Sequence, residues 1–229
     1  MRNILMISFV AIILSSCATM KMTDLKPEPK ITPSLPTLEV RVDLESFESA
    51  YTLGSTSSVS SGSVYGRTTV DKNRATTTGI GTAVSTSTMS KDPRIQDAIT
   101  IFDRDVKDNL TDPFGDSKGF ILCKINASNE KINLGWAVLS GVTLMIPNLL
   151  GMPIGAYKMT LDVDVEIYNS SQKLIGRYNA TASAKKYMAL YWGYGKDCAR
   201  VANIMAFRDA MNIIKEQIRN DHNSLMEKL

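Results

Sequence analysis

Apolar positions along the chain recur with two different periods. Leu38, Val40, Val42 and Leu44 alternate with Glu39, Arg41 and Asp43, the period of two that marks a half-buried strand. The pattern predicts a strand from residue 38 and its continuation through Phe47 towards residue 53. Ile95, Ile99, Phe102, Val106 and Leu110 instead recur at helical spacing, a single stripe that would face a core. Asp92-Pro93 opens that helix with an N-cap side chain and a proline at the first helical position. Asp112-Pro113-Phe114-Gly115 closes it, and the apolar run 119–125, GFILCKI, predicts a central strand.

The clearest alternation comes later. Met159, Leu161, Val163, Val165 and Ile167 interleave with Thr160, Asp162, Asp164, Glu166 and Tyr168. Turn residues at 169–173 send the chain back, so 174–184 reads as the antiparallel partner. A last helix begins near Asp197, with Val201, Ile204, Met211, Ile214 and Ile218 as its buried stripe, and the tail 220–229 is polar. The order predicts an α+β fold: a small antiparallel sheet of about four strands with two helices packed on one face. One such domain would occupy residues 37–219.

Two stretches interrupt this order. Residues 54–90 are dominated by Ser, Thr and Gly, an insertion that reads as a loose excursion or as a long hairpin rich in strand-forming Thr and Val. Residues 136–157 contain no charged side chain, yet Pro147, Pro153 and three glycines break any membrane-spanning helix there. Two readings stay open: buried strand and loop covering the sheet, or an apolar flap that touches lipid or a partner. In the second, Met145, Ile146, Leu149 and Leu150 would make the contact.

Composition narrows the chemistry. The chain of 229 residues has 44% hydrophobic residues, a formal net charge of +3 and basic residues that are spread rather than clustered. This spread argues against a nucleic-acid surface. The sole histidine, His222, lies in the tail, so the body has no imidazole for a Ser-His, Cys-His or His-zinc arrangement. No phosphate-binding glycine loop is present. The expectation is a non-enzymatic protein with no cofactor and no metal. Asp162, Asp164 and Glu166 share one strand face and read as its solvated side rather than as a calcium or acid–base site. Tyr187, Tyr191, Trp192 and Tyr194 form an aromatic cluster before the last helix. Such residues suit an interface, because they join large apolar area to a polar tip; the alternative is a loop folding its rings onto the core.

The N-terminus supplies an address. Residues 1–17, MRNILMISFVAIILSSC, combine a positive charge, a short apolar run and small residues before Cys17, the parts of a secretory signal. Leu14-Ser15-Ser16-Cys17 resembles the lipobox of bacterial lipoproteins, which implies removal of 1–16 and lipidation of Cys17. Residues 17–36 then form a proline-rich tether. Ala18, in place of an aspartate, leans the sorting towards the outer membrane. Export makes a disulfide between Cys123 and Cys198 one reading and two buried thiols the other.

As a whole the chain resembles small bacterial envelope lipoproteins with a lipobox, a tether, a small α+β domain, a segment like Gly141-Val142-Thr143-Leu144-Met145-Ile146-Pro147, an alternating hairpin and a C-terminal helix. The resemblance implies a lipid-anchored, periplasm-facing binding or accessory component of the outer membrane, with membrane contact through the lipid and a protein partner in the envelope. A more distant likeness, in layout, is to accessory lipoproteins of outer-membrane assembly and secretion machines, including the curli-secretion pore family. It implies the alternative of an oligomeric pore subunit using 54–90 as membrane hairpins.

Overall fold

The structure, a computed structural model, describes residues 30, 32–53, 92–143, 146–188 and 197–229. Cys17, most of the tether and the insertion 54–90 lie outside the described residues.

Strand β1 (Glu39–Val42) is shorter than the alternation suggested, and Leu44–Leu53 is helix α1. Asp43 explains the switch. Its carboxylate accepts from Ser46 N at 3.3 Å, and its carbonyl accepts from Phe47 N at 3.2 Å, so the chain is capped into a helix where a strand was expected. Phe47, Ala50 and Tyr51 are buried, and their spacing is helical. Helix α2 (Pro93–Asp105) starts as its sequence predicts, with Asp92 accepting from Arg94 N at 2.8 Å. It widens into a π-helical turn at Val106–Leu110 before the chain reaches β2 (Gly119–Asn133). Helices α3 (Gly135–Val142) and α4 (Ile146–Leu149) lead to β3 (Gly155–Asn169), β4 (Leu174–Met188), α5 (Cys198–Asn220) and α6 (His222–Lys228).

The fold is α+β, a four-stranded sheet in the order β1-β2-β3-β4 with helices packed against it. β2, β3 and β4 are antiparallel, but β1 joins parallel to β2, which makes the sheet mixed. The helical crossover α1–α2 between β1 and β2 permits this, because a parallel pair needs a long connection. Ile121, Cys123 and Ile125 on β2 and Met159, Leu161, Val163, Val165 and Ile167 on β3 are buried, and α5 lies over β3 and β4 while α1 covers β2. An extra residue, Asn126, bulges β2 between Ile125 and Ala127. Beyond it Ser128 rather than Ala127 points to the helices, donating to Ala50 O at 2.9 Å.

The two described cysteines are free thiols. Cys123 pairs with Val165 in the middle of β3, whereas the Cys198 thiol donates to Tyr187 O at 3.9 Å, and Tyr187 pairs with Ala156. Nine positions along β3 separate the two sites, about 30 Å at ~3.3 Å per residue. A disulfide requires Cα atoms within about 7 Å. The reading of two buried thiols therefore holds, and burial pushes both thiol pKa values up.

Candidate functional site

The register divides the molecule into two ends. At one end Gly119 pairs with Asn169, the β3–β4 turn follows, and the incoming chain docks through Leu35 N to Leu110 O at 3.0 Å. His222 Nε2 lies 3.3 Å from Ser34 O there. This is the entry end. At the other, Asn133, Ala156 and Tyr187 stand side by side, and Ile154 N donates to Met188 O at 2.8 Å. The distal end collects the β2–β3 connection and the start of α5. The ends of α1 and α2 that flank the insertion lie there too, since Ala50 meets Ser128 and Arg94 meets Glu130.

Exposed apolar side chains concentrate at the distal end. Of thirteen large apolar side chains exposed among the described residues, eight belong to its strand ends and connection. Ile146, Leu149 and Leu150 are 59%, 58% and 79% exposed, and Trp136, Val142 and Tyr187 are also open. Among its described residues, the segment 136–157 forms two short helices and a connection into β3 rather than a covering strand, with Trp136, Val142, Ile146, Leu149 and Leu150 exposed and Ser140 and Asn148 buried. Its floor is held by Asn148, whose side-chain nitrogen donates to Met152 O at 3.0 Å, and by Ser140, which donates to Trp136 O at 2.9 Å. Met145, Tyr191, Trp192 and Tyr194 lie outside the described residues. Tyr187, next to last in β4, is 51% exposed, and the Lys185 ammonium lies 4.8 Å from its ring centroid.

A buried polar cluster braces this end on the helical side of the sheet. The Arg94 guanidinium bonds Asp92 and Glu130 and lies 5.1 Å from the centre of the Tyr51 ring. Tyr51 donates to Asn203 Oδ1 at 2.6 Å, and Asn203 donates back to Arg94 O at 3.2 Å. Burial pushes the Tyr51 hydroxyl far above its ordinary pKa; burial and then the Glu130 carboxylate do the same to Tyr157. Both phenols are locked in the protonated form. Nothing in the spacing of Tyr51, Arg94, Glu130 and Asn203 along the chain announced this cluster, whose members come from α1, α2, β2 and α5.

The opposite, helix-free face of the sheet carries the carboxylates singled out from sequence. Asp164 and Glu166 are not solvated as expected: they are 1% and 5% exposed. Arg177 Nη2 lies 2.6 Å from Asp164 Oδ2, Lys124 Nζ lies 2.7 Å from Glu166 Oε2, and Asn179 spans Asp162 and Asp164. Burial alone would raise both carboxyls. Hydrogen bonds from Arg177 and Asn179 outweigh it at Asp164, and those from Lys124 and Tyr168 do so at Glu166, leaving both below the usual range. Neutralised in this way, they bind strands together. Among the described residues no group of three or more His, Cys, Asp or Glu is placed to hold a metal ion, and no helix is long and apolar enough to cross a membrane.

The chain matches no known protein family and no curated protein.

Proposed function

We propose that this protein is a lipid-anchored, periplasm-facing binding component of the bacterial envelope, held at Cys17 and engaging another envelope component through its distal end. The reading rests on one observation above the rest: the exposed apolar surface lies at the end of the sheet opposite the point where the N-terminal chain enters. Apolar surface kept open to water is a cost to solubility unless something covers it. At that end the half-buried Arg94, Asp92 and Glu130 join the buried Tyr51 and Asn203 in one bonded cluster, a bracing that suits a recognition surface, since contacts made by a rigid element lose less entropy on binding.

A photo-crosslinking side chain placed at Leu149 in the intact chain tests this, with the same group at Ser171 on the entry-end turn as control. The expected result is a discrete adduct from position 149 in envelope preparations and none from 171. Equal labelling from both positions, or none from either, sinks the reading.

A further inference from the structure

The strand register puts three lysines in one line on the helix-free face. Lys131 pairs with Lys158, and Lys158 pairs with Lys185; all three are exposed. Side chains directly opposite one another on adjacent strands stand about 5 Å apart at Cβ, and like charges there repel. The sheet thus carries a built-in electrostatic penalty at this row. Among the described strand residues no carboxylate relieves it: the neighbouring row is Asn129, Thr160 and Ser183. The closest acidic strand residue on that face is Asp162, already bonded to Asn179 and Thr181. It is four residues from Lys158 on the same strand, about 13 Å away and past the ~8 Å screening length of physiological salt.

The row is also placed with purpose. One step of the same face further out are Asn133, Ala156 and Tyr187, and beyond them comes the apolar connection with Trp136, Ile146 and Leu149. Along the chain outward, the lysine row is followed by Tyr187, and then by Trp136 with the exposed aliphatic side chains of the connection. That is the order of groups met on entering a bilayer from water: phosphates, then the interfacial zone favoured by Trp and Tyr, then acyl chains. A protein partner with an acidic rim would satisfy the lysines alone. The graded order is better matched by lipid.

We infer that the distal end docks on the surface of an anionic phospholipid bilayer, with Lys131, Lys158 and Lys185 against lipid phosphates and Trp136 and Tyr187 at headgroup depth. This rests on the binding reading above and names the partner. Each lysine near an anionic surface contributes about 1 kcal/mol, roughly a fivefold gain in affinity, so three give on the order of a hundredfold.

The test uses the full lipidated chain seated in phosphatidylcholine nanodiscs, to which labelled vesicles are added. Vesicles containing phosphatidylglycerol should be captured, and pure phosphatidylcholine vesicles should not. Raising salt should weaken capture, and the combined Lys131→Gln, Lys158→Gln and Lys185→Gln variant should lower it about a hundredfold. The same three changes at Lys118, Lys173 and Lys228, exposed residues away from this row, should leave it intact. Circular dichroism and a melting curve establish that both variants fold. Failure to capture anionic vesicles, equal capture of neutral ones, or equal losses in the two variants would overturn the lipid assignment. A surviving protein adduct from position 149 would then leave the binding reading standing, while its absence as well would remove both.

Discussion

Asp164 is the residue at which the helix-free face is most sensitive to acid. Its carboxylate is nearly inaccessible, held by Arg177 and Asn179, and sits beside Glu166 with its own partner Lys124. Both carboxyls have folded-state pKa values below their ordinary 3.8 and 4.5. A depressed folded pKa contributes stability above the unfolded value, and that contribution disappears as pH falls through the folded one. Asp92, lowered by its bonds from Arg94 against the effect of burial, adds to the same trend. The urea midpoint should therefore be flat down to about pH 5 and fall steeply below about pH 4. Asp164→Asn should cost about 1–3 kcal/mol at neutral pH and make the acid limb shallower. An unchanged acid limb in that variant would mean that the carboxylate is not the group that titrates.

Between elements, α2 and α5 are held by ion pairs that sequence patterning does not show. Lys215 Nζ meets Asp105 Oδ1 at 2.9 Å with both side chains almost wholly buried, while Arg200 Nη2 meets Asp97 Oδ1 at 2.8 Å nearer the surface. Removing one member of a buried pair strands the other charge, whereas replacing both by apolar groups can be close to neutral. Lys215→Met alone should lower stability by about 3–5 kcal/mol, and Lys215→Met with Asp105→Leu should recover most of that loss. Chemical denaturation of the two variants decides it; equal losses would show that the ion pair contributes little by itself. These pairs also mark the boundary of what the chain makes legible. The stripes of α2 and α5 and the β3 alternation follow from apolar periodicity, because one face of each is buried in a shared core. The helix at 44–53 was hidden because Leu38–Leu44 alternation runs straight into it, and only the Asp43 cap reverses the conformation. Parallel entry of β1 and the Lys131–Lys158–Lys185 row were equally hidden. Both depend on register, which is set by pairing between strands about 80 residues apart in chain order, as for Val42 with Cys123, and by the bulge at Asn126.

At the scale of the molecule, the separation of entry and distal ends makes tether length a functional variable. β3 has 15 residues and runs the length of the sheet, about 50 Å at ~3.3 Å per residue. Between Cys17 and the docked Ser34–Leu35 segment lie residues 18–33, which would reach about 50 Å at ~3.1 Å per residue if extended as their prolines suggest. That reach is about the domain's own length, so under the proposed anchoring the domain could turn its distal end either away from the membrane or back onto it. Deleting residues 20–29 shortens the reach to about 19 Å, too little for the second posture and a large loss of range in the first. The core should not notice, since the first deeply buried side chain among the described residues is Leu35. The expected outcome is an unchanged melting curve together with a several-fold drop in crosslinking from position 149. An unrelated proline-rich spacer of the original length should restore the yield, because reach and not sequence is what the tether supplies. If the shortened chain crosslinks as well as the full one, the distal end meets its partner without needing that reach. The two-ended arrangement would then be a feature of the fold with no bearing on how the protein is held.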